Sequence, residues 1–297
     1  MSVLALPYVK PPTWPVDLPL LGEQTITAFG PLVVTGVFLG FMLCMRLAKQ
    51  RGLPEMETER LVMWVGVGGF AVAHWFSVLL YFPEHVQEDP WVLVRFTEGL
   101  SSVGGFIGGG LTFAILTRKW RMDPVVYADI MIYGLLFGFA IGRCGCSMVH
   151  DHPGAISTSA LAVGPWPDGE TRWDLGLVEL FLLMPLMGVI YGRSWKRSRP
   201  GAILALVAAS YAVLRFPLDF LRADDVRYGP LTPAQFACIA IVVTAGLWWR
   251  TVARRDFSPA DAATAEASPK DDADDDADDD DDDDDDDSDS GEVSDGG

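Results

Sequence analysis

"PVVYADIMIYGLLFGFAIGRCGCSMVHDHPG", residues 124–154, joins two kinds of sequence that seldom meet. Up to Gly142 it is apolar apart from Asp129. Twenty helical residues at ~1.5 Å each are enough to cross the ~30 Å core of a bilayer. The last thirteen residues, 142–154, then gather Arg143, Cys144, Cys146, His150, Asp151 and His152. The pattern is a membrane span ending in a cluster of polar and reactive side chains.

Similar apolar windows recur at 27–47, 61–82, 99–117, 175–192, 201–220 and 232–249. With 124–143 they predict an all-α polytopic membrane protein of seven transmembrane helices. Half of the 297 residues are hydrophobic, which agrees with that class. The charges between the windows set an orientation. Arg46, Lys49, Arg51 and Arg60 separate the first two, and Arg118, Lys119 and Arg121 the third and fourth. Arg193, Lys196, Arg197 and Arg199 separate the fifth and sixth, and Arg250, Arg254 and Arg255 follow the seventh. Basic loops stay cytoplasmic, so the N-terminus is expected outside and the C-terminus inside. Segments 83–98, about 144–174 and 221–231 then lie on the outer face, the second as a small external cap.

Three regions follow. Residues 1–26 read as an external interfacial segment with Trp14 and several prolines, 27–255 as the transmembrane domain, and 256–297 as an acidic tail. The net charge is −18, but from Asp256 onward 21 acids face Lys270 alone, leaving 19 acids and 21 bases elsewhere. The acidity belongs to the tail, which excludes a halophile-style acidic surface. A run of aspartates repels itself and has nothing apolar to bury, so the tail is expected to be disordered and cytoplasmic. The first 25 residues show no basic stretch followed by an apolar run, so no cleavable signal peptide is expected.

Ionisable groups inside spans are costly and face a bundle interior or water. His74, Glu98, Asp129, Glu179, Arg215 and Asp219 are such groups, with Arg143 and Arg222 at outer ends. Asp129 sits near an inner end and reads as structural. Arg215 and Asp219 stand one turn apart and read as a local pair. The rest gather toward the outer half. Two arginines there suit a phosphate, because guanidinium forks match phosphate oxygens, and lipid headgroups supply phosphate at that depth. Taken singly, either arginine also reads as a helix-end residue snorkelling to headgroups.

The third window, "EGLSSVGGFIGGGLTF" (98–113), carries Gly104, Gly105, Gly108, Gly109 and Gly110 behind Ser101 and Ser102. Small residues four apart are a helix-packing signature, and they also let a lipid approach closely. Three other chemistries are set aside. His150, Asp151 and His152 are adjacent on a loop and rarely furnish three metal ligands unaided. Cys44 and Cys238 read as packing residues, and Cys146 beside Arg143 lacks an acyl-transfer partner set. Lys10, Lys49, Lys119, Lys196 and Lys270 all lie outside span centres, which excludes a retinal Schiff base.

These stretches resemble the prolipoprotein diacylglyceryl transferase family. Residues 142–154 are similar to its signature G-R-x-G-N-F-x-N-x-E-x-x-G at Gly142, Arg143, Gly145 and Gly154, with Asp151 where the family has glutamate. "GLSSVGGFIGG" resembles G-M-S-F-H-G-G-L-I-G, and "LVE" ending at Glu179 resembles L-Y-E. "FLRADDVRYGPLTPAQ" resembles F-R-x-P-D followed by a span with an early glutamine, with Arg222 as the arginine. "AVAHWF" stands where the family has G-A-R-L, His74 replacing the arginine. The similarity runs in order from about 27 to 250. Val103 occupies the position of the family's histidine, and Cys146 and Val149 replace two asparagines.

The resemblance implies an enzyme that moves the diacylglyceryl group of phosphatidylglycerol to the lipobox cysteine of a preprolipoprotein, releasing glycerol phosphate. It implies work at the outer face of a bacterial plasma membrane, with membrane lipid and the lipobox segment as partners and no nucleic acid, cofactor or metal. Arg143 and Arg222 are then expected to hold the lipid phosphate, and Asp151 to orient Arg143 or the cap. His150 or His152 is expected to take the thiol proton. Glu179 is expected to position the headgroup or an arginine, and Ser101, Gly104, Gly105 and Gly154 to line the substrate. Val103 leaves open a homologue that binds lipid or lipoprotein without transfer. A small transporter is a further alternative, against which the polar residues gather on one face.

Overall fold

Glycine sets how closely the main helices of this chain approach one another. The computed structural model describes residues 5–18, 22–80, 82–95, 100–222 and 227–252. In chain order the elements begin with β1 (Leu6–Pro7), β2 (Thr13–Leu18), β3 (Gly22–Thr27), α1 (Phe29–Arg51), α2 (Glu55–Leu80) and α3 (Pro83–Glu88). After a 3-10 turn at Pro90–Leu93 come α4 (Ser102–Lys119) and α5 (Pro124–Val149), then β4 (Pro153–Ile156), β5 (Val163–Gly164) and β6 (Arg172–Asp174). The chain continues through α6 (Leu175–Tyr191), α7 (Ala202–Leu218), a 3-10 turn at Asp219–Leu221 and α8 (Pro233–Val252).

Each predicted window falls on one of the seven helices other than short α3. Five of these, α1, α2, α5, α8 and α7 extended to Leu221, are long and apolar enough to cross a membrane. Helix α6 is apolar but shorter. In α4, five glycines and a basic Arg118–Lys119 end dilute the apolar character. Outer faces are apolar: Val34 and Val37 on α1 are 69% and 66% exposed, and Trp64, Val67 and Phe70 on α2 are also exposed. Such surface is costly in water and at home in lipid. The chain has the build of a multi-pass membrane protein.

Helices α1 and α5 cross where Gly36 and Gly40 face Gly138 and Gly134. A Cβ on Gly36 or Gly40 would come within 2.8–2.9 Å of a facing carbonyl oxygen. Around this crossing Leu47, Leu61, Ile130, Leu183, Ile190 and Ile203 form the core, each at most 1% exposed. At the end away from the cap, Arg51 and Asp129 form an ion pair with both side chains fully buried. Asp129 also accepts from the backbone N–H of Gly201 and Leu204 at 3.0 and 2.8 Å, seating the start of α7.

Two features differ from the sequence expectation. Helix α5 runs to Val149, past the predicted end at 143, and stops where His150 adopts a left-handed conformation (φ 53°). The cap therefore begins at His150. It is also built of strands, because proline and glycine interrupt any helix there. The sheet order is β1-β5-β6-β4, with β1 parallel to β5 and β6 antiparallel to both neighbours. The N-terminal segment thus supplies a cap strand, and β2 and β3 form a separate antiparallel pair. The acidic tail from 256 onward and Glu98 lie outside the described residues.

Candidate active site

Helices α5, α6 and α7 bring their polar residues together at the cap end. Arg143 is on the last turns of α5, Glu179 on the first turns of α6, and Arg215 near the end of α7. Pro217 cannot donate to the α7 backbone ladder, and the chain tightens at Asp219–Leu221 before reaching Arg222. These residues form one ionic chain. Arg143 Nε lies 3.1 Å from Glu179 Oε2, although its N–H does not aim at that oxygen. Arg215 reaches the same oxygen at 3.4 Å through Nη1, and Asp219 Oδ1 at 3.3 Å through Nη2. Arg222 Nη1 stands 3.9 Å from Asp219 Oδ1.

Among the described residues, three guanidinium groups thus contact two carboxylates. The carboxylates are buried, while the side chains of Arg143, Arg215 and Arg222 are 13%, 17% and 34% exposed. The anions are fixed from behind. Tyr211 donates to Glu179 Oε1 at 2.6 Å, and the Thr232 hydroxyl donates to Asp219 Oδ2. Thr232 and Gln235 form a capping box at the start of α8: the Gln235 N–H donates to Thr232 Oγ1 at 3.2 Å, and the Thr232 N–H to Gln235 Oε1 at 3.0 Å. Arg143 also lies over the Phe139 ring at 4.8 Å, which holds its fork in place.

The predicted residues fall into separate groups. Arg143, Glu179 and Arg222 belong to the ionic chain. Gly154 joins the cap to it, since a Cβ there would meet Leu221 O and Trp173 Cβ, each at 2.9 Å. Asp151 and His152 contact one another through Oδ1 and Nδ1, and their carboxylate and imidazole gather with the Cys146 thiol within 4.8 Å. His150 is committed elsewhere. Its Nδ1 meets Asp174 Oδ2 at 2.6 Å, its Nε2 meets Val9 O at 3.1 Å, and its ring stacks on Tyr8. With both ring nitrogens engaged, His150 fastens the N-terminal segment to the cap.

Ser101 and Gly104 have structural partners on α2. Ser101 caps α4 by accepting from the Gly104 N–H at 3.3 Å, and its own N–H donates to Ala73 O at 3.0 Å. A Cβ on Gly104 would lie 2.5 Å from Phe76 Cβ, whereas Gly105 has ordinary contact room at 3.7 Å from Ala73 Cβ. The next residue, Phe106, faces Phe139 at 6.4 Å between ring centroids, so α4 approaches the ring beneath Arg143. His74 is fully buried with Nε2 2.8 Å from Val92 O, bracing the 3-10 turn at Pro90–Leu93.

The sequence reading missed Arg215 and Asp219 as members of the site, together with Tyr211. The signal was present: Tyr211, Arg215 and Asp219 are spaced four apart in an apolar run, and so share one helix face.

The profile of the prolipoprotein diacylglyceryl transferase family matches residues 15–251. The chain belongs to that family. The match spans every long helix described above and the whole cap sheet except β1. A relative from Gloeobacter violaceus, named phosphatidylglycerol–prolipoprotein diacylglyceryl transferase, is 29% identical over 77% of this chain and 90% of its own length. Relatives of the same name from Geobacillus kaustophilus (29% identical, 77% and 89% covered) and Staphylococcus saprophyticus (25%, 81% and 88%) are similar over comparable lengths. Val103, which the sequence resemblance sets against a family histidine, lies in the first turn of α4 and is 53% exposed.

Proposed function

We propose that the chain carries out the reaction its family is named for: transfer of a diacylglyceryl group from phosphatidylglycerol to the cysteine thiol of a prolipoprotein. The carrying observation is the chain of three arginines on two carboxylates. In the transfer, a thiolate sulfur attacks the glyceryl carbon bonded to the headgroup phosphate oxygen. A carbon–sulfur bond forms, the carbon–oxygen bond breaks, and its electron pair stays on the phosphate. A phosphodiester with one negative charge becomes glycerol phosphate carrying a second. Guanidinium groups aimed at the phosphate stabilise that change most where it is greatest, at the leaving oxygen.

Arg143, Arg215 and Arg222 take the phosphate in this reading. Their contacts to Glu179 and Asp219 at 3.1–3.9 Å are long enough for a phosphate to draw the guanidinium groups away without leaving the carboxylates bare. Glu179 and Asp219 position the arginines, and Tyr211 fixes Glu179. His152, about one-third exposed beside Asp151, accepts the thiol proton. The chain crosses a bacterial plasma membrane seven times, N-terminus and cap outside, with the lipobox segment reaching the site beneath the cap. Phe106 and Phe139 border the lipid chains.

The test is release of glycerol phosphate by purified protein in detergent, given phosphatidylglycerol and a lipobox peptide. Release that requires the peptide's cysteine supports the transferase. Val103 favours a second reading, lipid binding without transfer, because an apolar side chain stands where the family has a base. Retained lipid binding with no release would decide for that reading.

A further inference from the structure

The left-handed turn at His150 has a second effect, on residues that the proposed phosphate clamp does not use as a group. It sends the His150 ring toward Asp174 and Val9, and it folds the next two residues back over the end of α5. There the Cys146 thiol, the Asp151 carboxylate and the His152 imidazole present donor atoms within 4.8 Å of one another. The adjacent triplet His150–Asp151–His152 is therefore not the set that meets. A cysteine from the helix takes the place of the first histidine.

We propose that Cys146, Asp151 and His152 form a binding site for a borderline divalent transition metal of the zinc class. One sulfur, one imidazole nitrogen and one carboxylate oxygen are the donor types that favour zinc or cobalt over magnesium or calcium, which prefer oxygen alone. Bonds of about 2.0–2.3 Å to a tetrahedral ion put donors roughly 3.5 Å apart. The present spread closes to that by small movements of Asp151 and His152, which are 39% and 35% exposed on the cap, toward Cys146 on its helix. A thiolate and a carboxylate neutralise the dication. Arg143, whose Nη1 lies 3.9 Å from the Cys146 sulfur, keeps Glu179 as its counter-charge. Three protein ligands leave one position for an outside donor, the layout of catalytic zinc sites and not of closed structural ones. An ion bound here ties the cap loop to the end of α5 beside Arg143, and it takes up the His152 imidazole, so that His152 accepts the thiol proton only in the metal-free site.

The experiment is titration of the full-length purified protein with cobalt(II) alone. The expected result is one equivalent of cobalt producing a thiolate-to-cobalt charge-transfer absorption, displaced by zinc. The aspartate-rich tail offers cobalt only oxygen and produces no such band. Cys146→Ser should lose the band, Cys144→Ala should keep it, and His152→Ala should weaken binding by at least the ~10–100-fold that loss of an outer-shell partner costs. No charge-transfer band at one equivalent, or a band that survives Cys146→Ser, overturns the site. Glycerol phosphate release plays no part in this readout, so failure here leaves the transferase reading standing.

Discussion

The two ends of the bundle hold the same kinds of charged group in opposite conditions. Away from the cap, Arg51 and Asp129 are fully buried and saturated. Asp129 accepts from both terminal nitrogens of Arg51 and from two backbone N–H groups, while Arg51 also reaches Trp195 O and Ser198 Oγ. At the cap end three arginines share two carboxylates at 3.1–3.9 Å, with the cations partly exposed and the anions buried. A closed pair has no valence left for a ligand and holds helices together. An open chain whose cations are partly exposed has room to exchange partners when an anion arrives.

Breaking the closed pair should have the largest effect. Asp129→Ala leaves Arg51 charged, buried and unpaired, a loss of about 3–5 kcal/mol. It should appear as a large fall in thermal midpoint in detergent, with the surviving folded fraction keeping its turnover. An unchanged midpoint would dissolve the contrast between the two ends. Arg143→Ala is the converse: glycerol phosphate release should fall ~10²–10³-fold while the midpoint stays near the parent value. Arg143→Lys should recover little, because an ammonium lacks the fork.

Gly104→Val comes next and separates packing from substrate contact. Pressing a larger side chain against Phe76 and Val72 should cost about 1–3 kcal/mol of stability. A rise in KM at unchanged stability would instead mean that Gly104 lines the lipid. The smallest effect belongs to Tyr211→Phe, which removes one hydrogen bond to Glu179 and leaves its two arginines. That should cost ~1 kcal/mol, about fivefold in release rate. A loss as large as that of Arg143→Ala would move the tyrosine from support into the reaction.

Hydropathy and charge made the helices legible, since a span must be apolar over its whole length and loop charges are local in sequence. The ends of the chain's interactions were less so. Arg51 reads as one more basic loop residue, yet it is buried against a residue on another helix. Nothing periodic links positions 51 and 129; only the α1–α5 crossing does. Arg215 and Asp219 do form the predicted i, i+4 contact, but that contact is one link in a longer chain through Glu179. Local spacing reveals a local pair and conceals whether it has further partners. His74 and Ser101 stand among motif-like residues and are committed to neighbouring backbone. Arg143 stood out through the resembled signature and the polar residues around it, since a single arginine near the end of an apolar helix also reads as snorkelling to headgroups. The strands of the cap gave no alternating signal, since β5 has two residues and β6 three.

The pairing of β1 with β5 sets an order of assembly. Leu6 precedes α1, and its partner Val163 follows α1 through α5. At ribosomal speeds of ~5–20 residues per second, the wait is on the order of ten seconds or more. Until then the leading segment has no cap strand to join, and His150 has no Val9 carbonyl to meet unless the segment remains close by. The cap sheet is therefore completed by a strand made before the bundle, and only after α1 through α5 have been made.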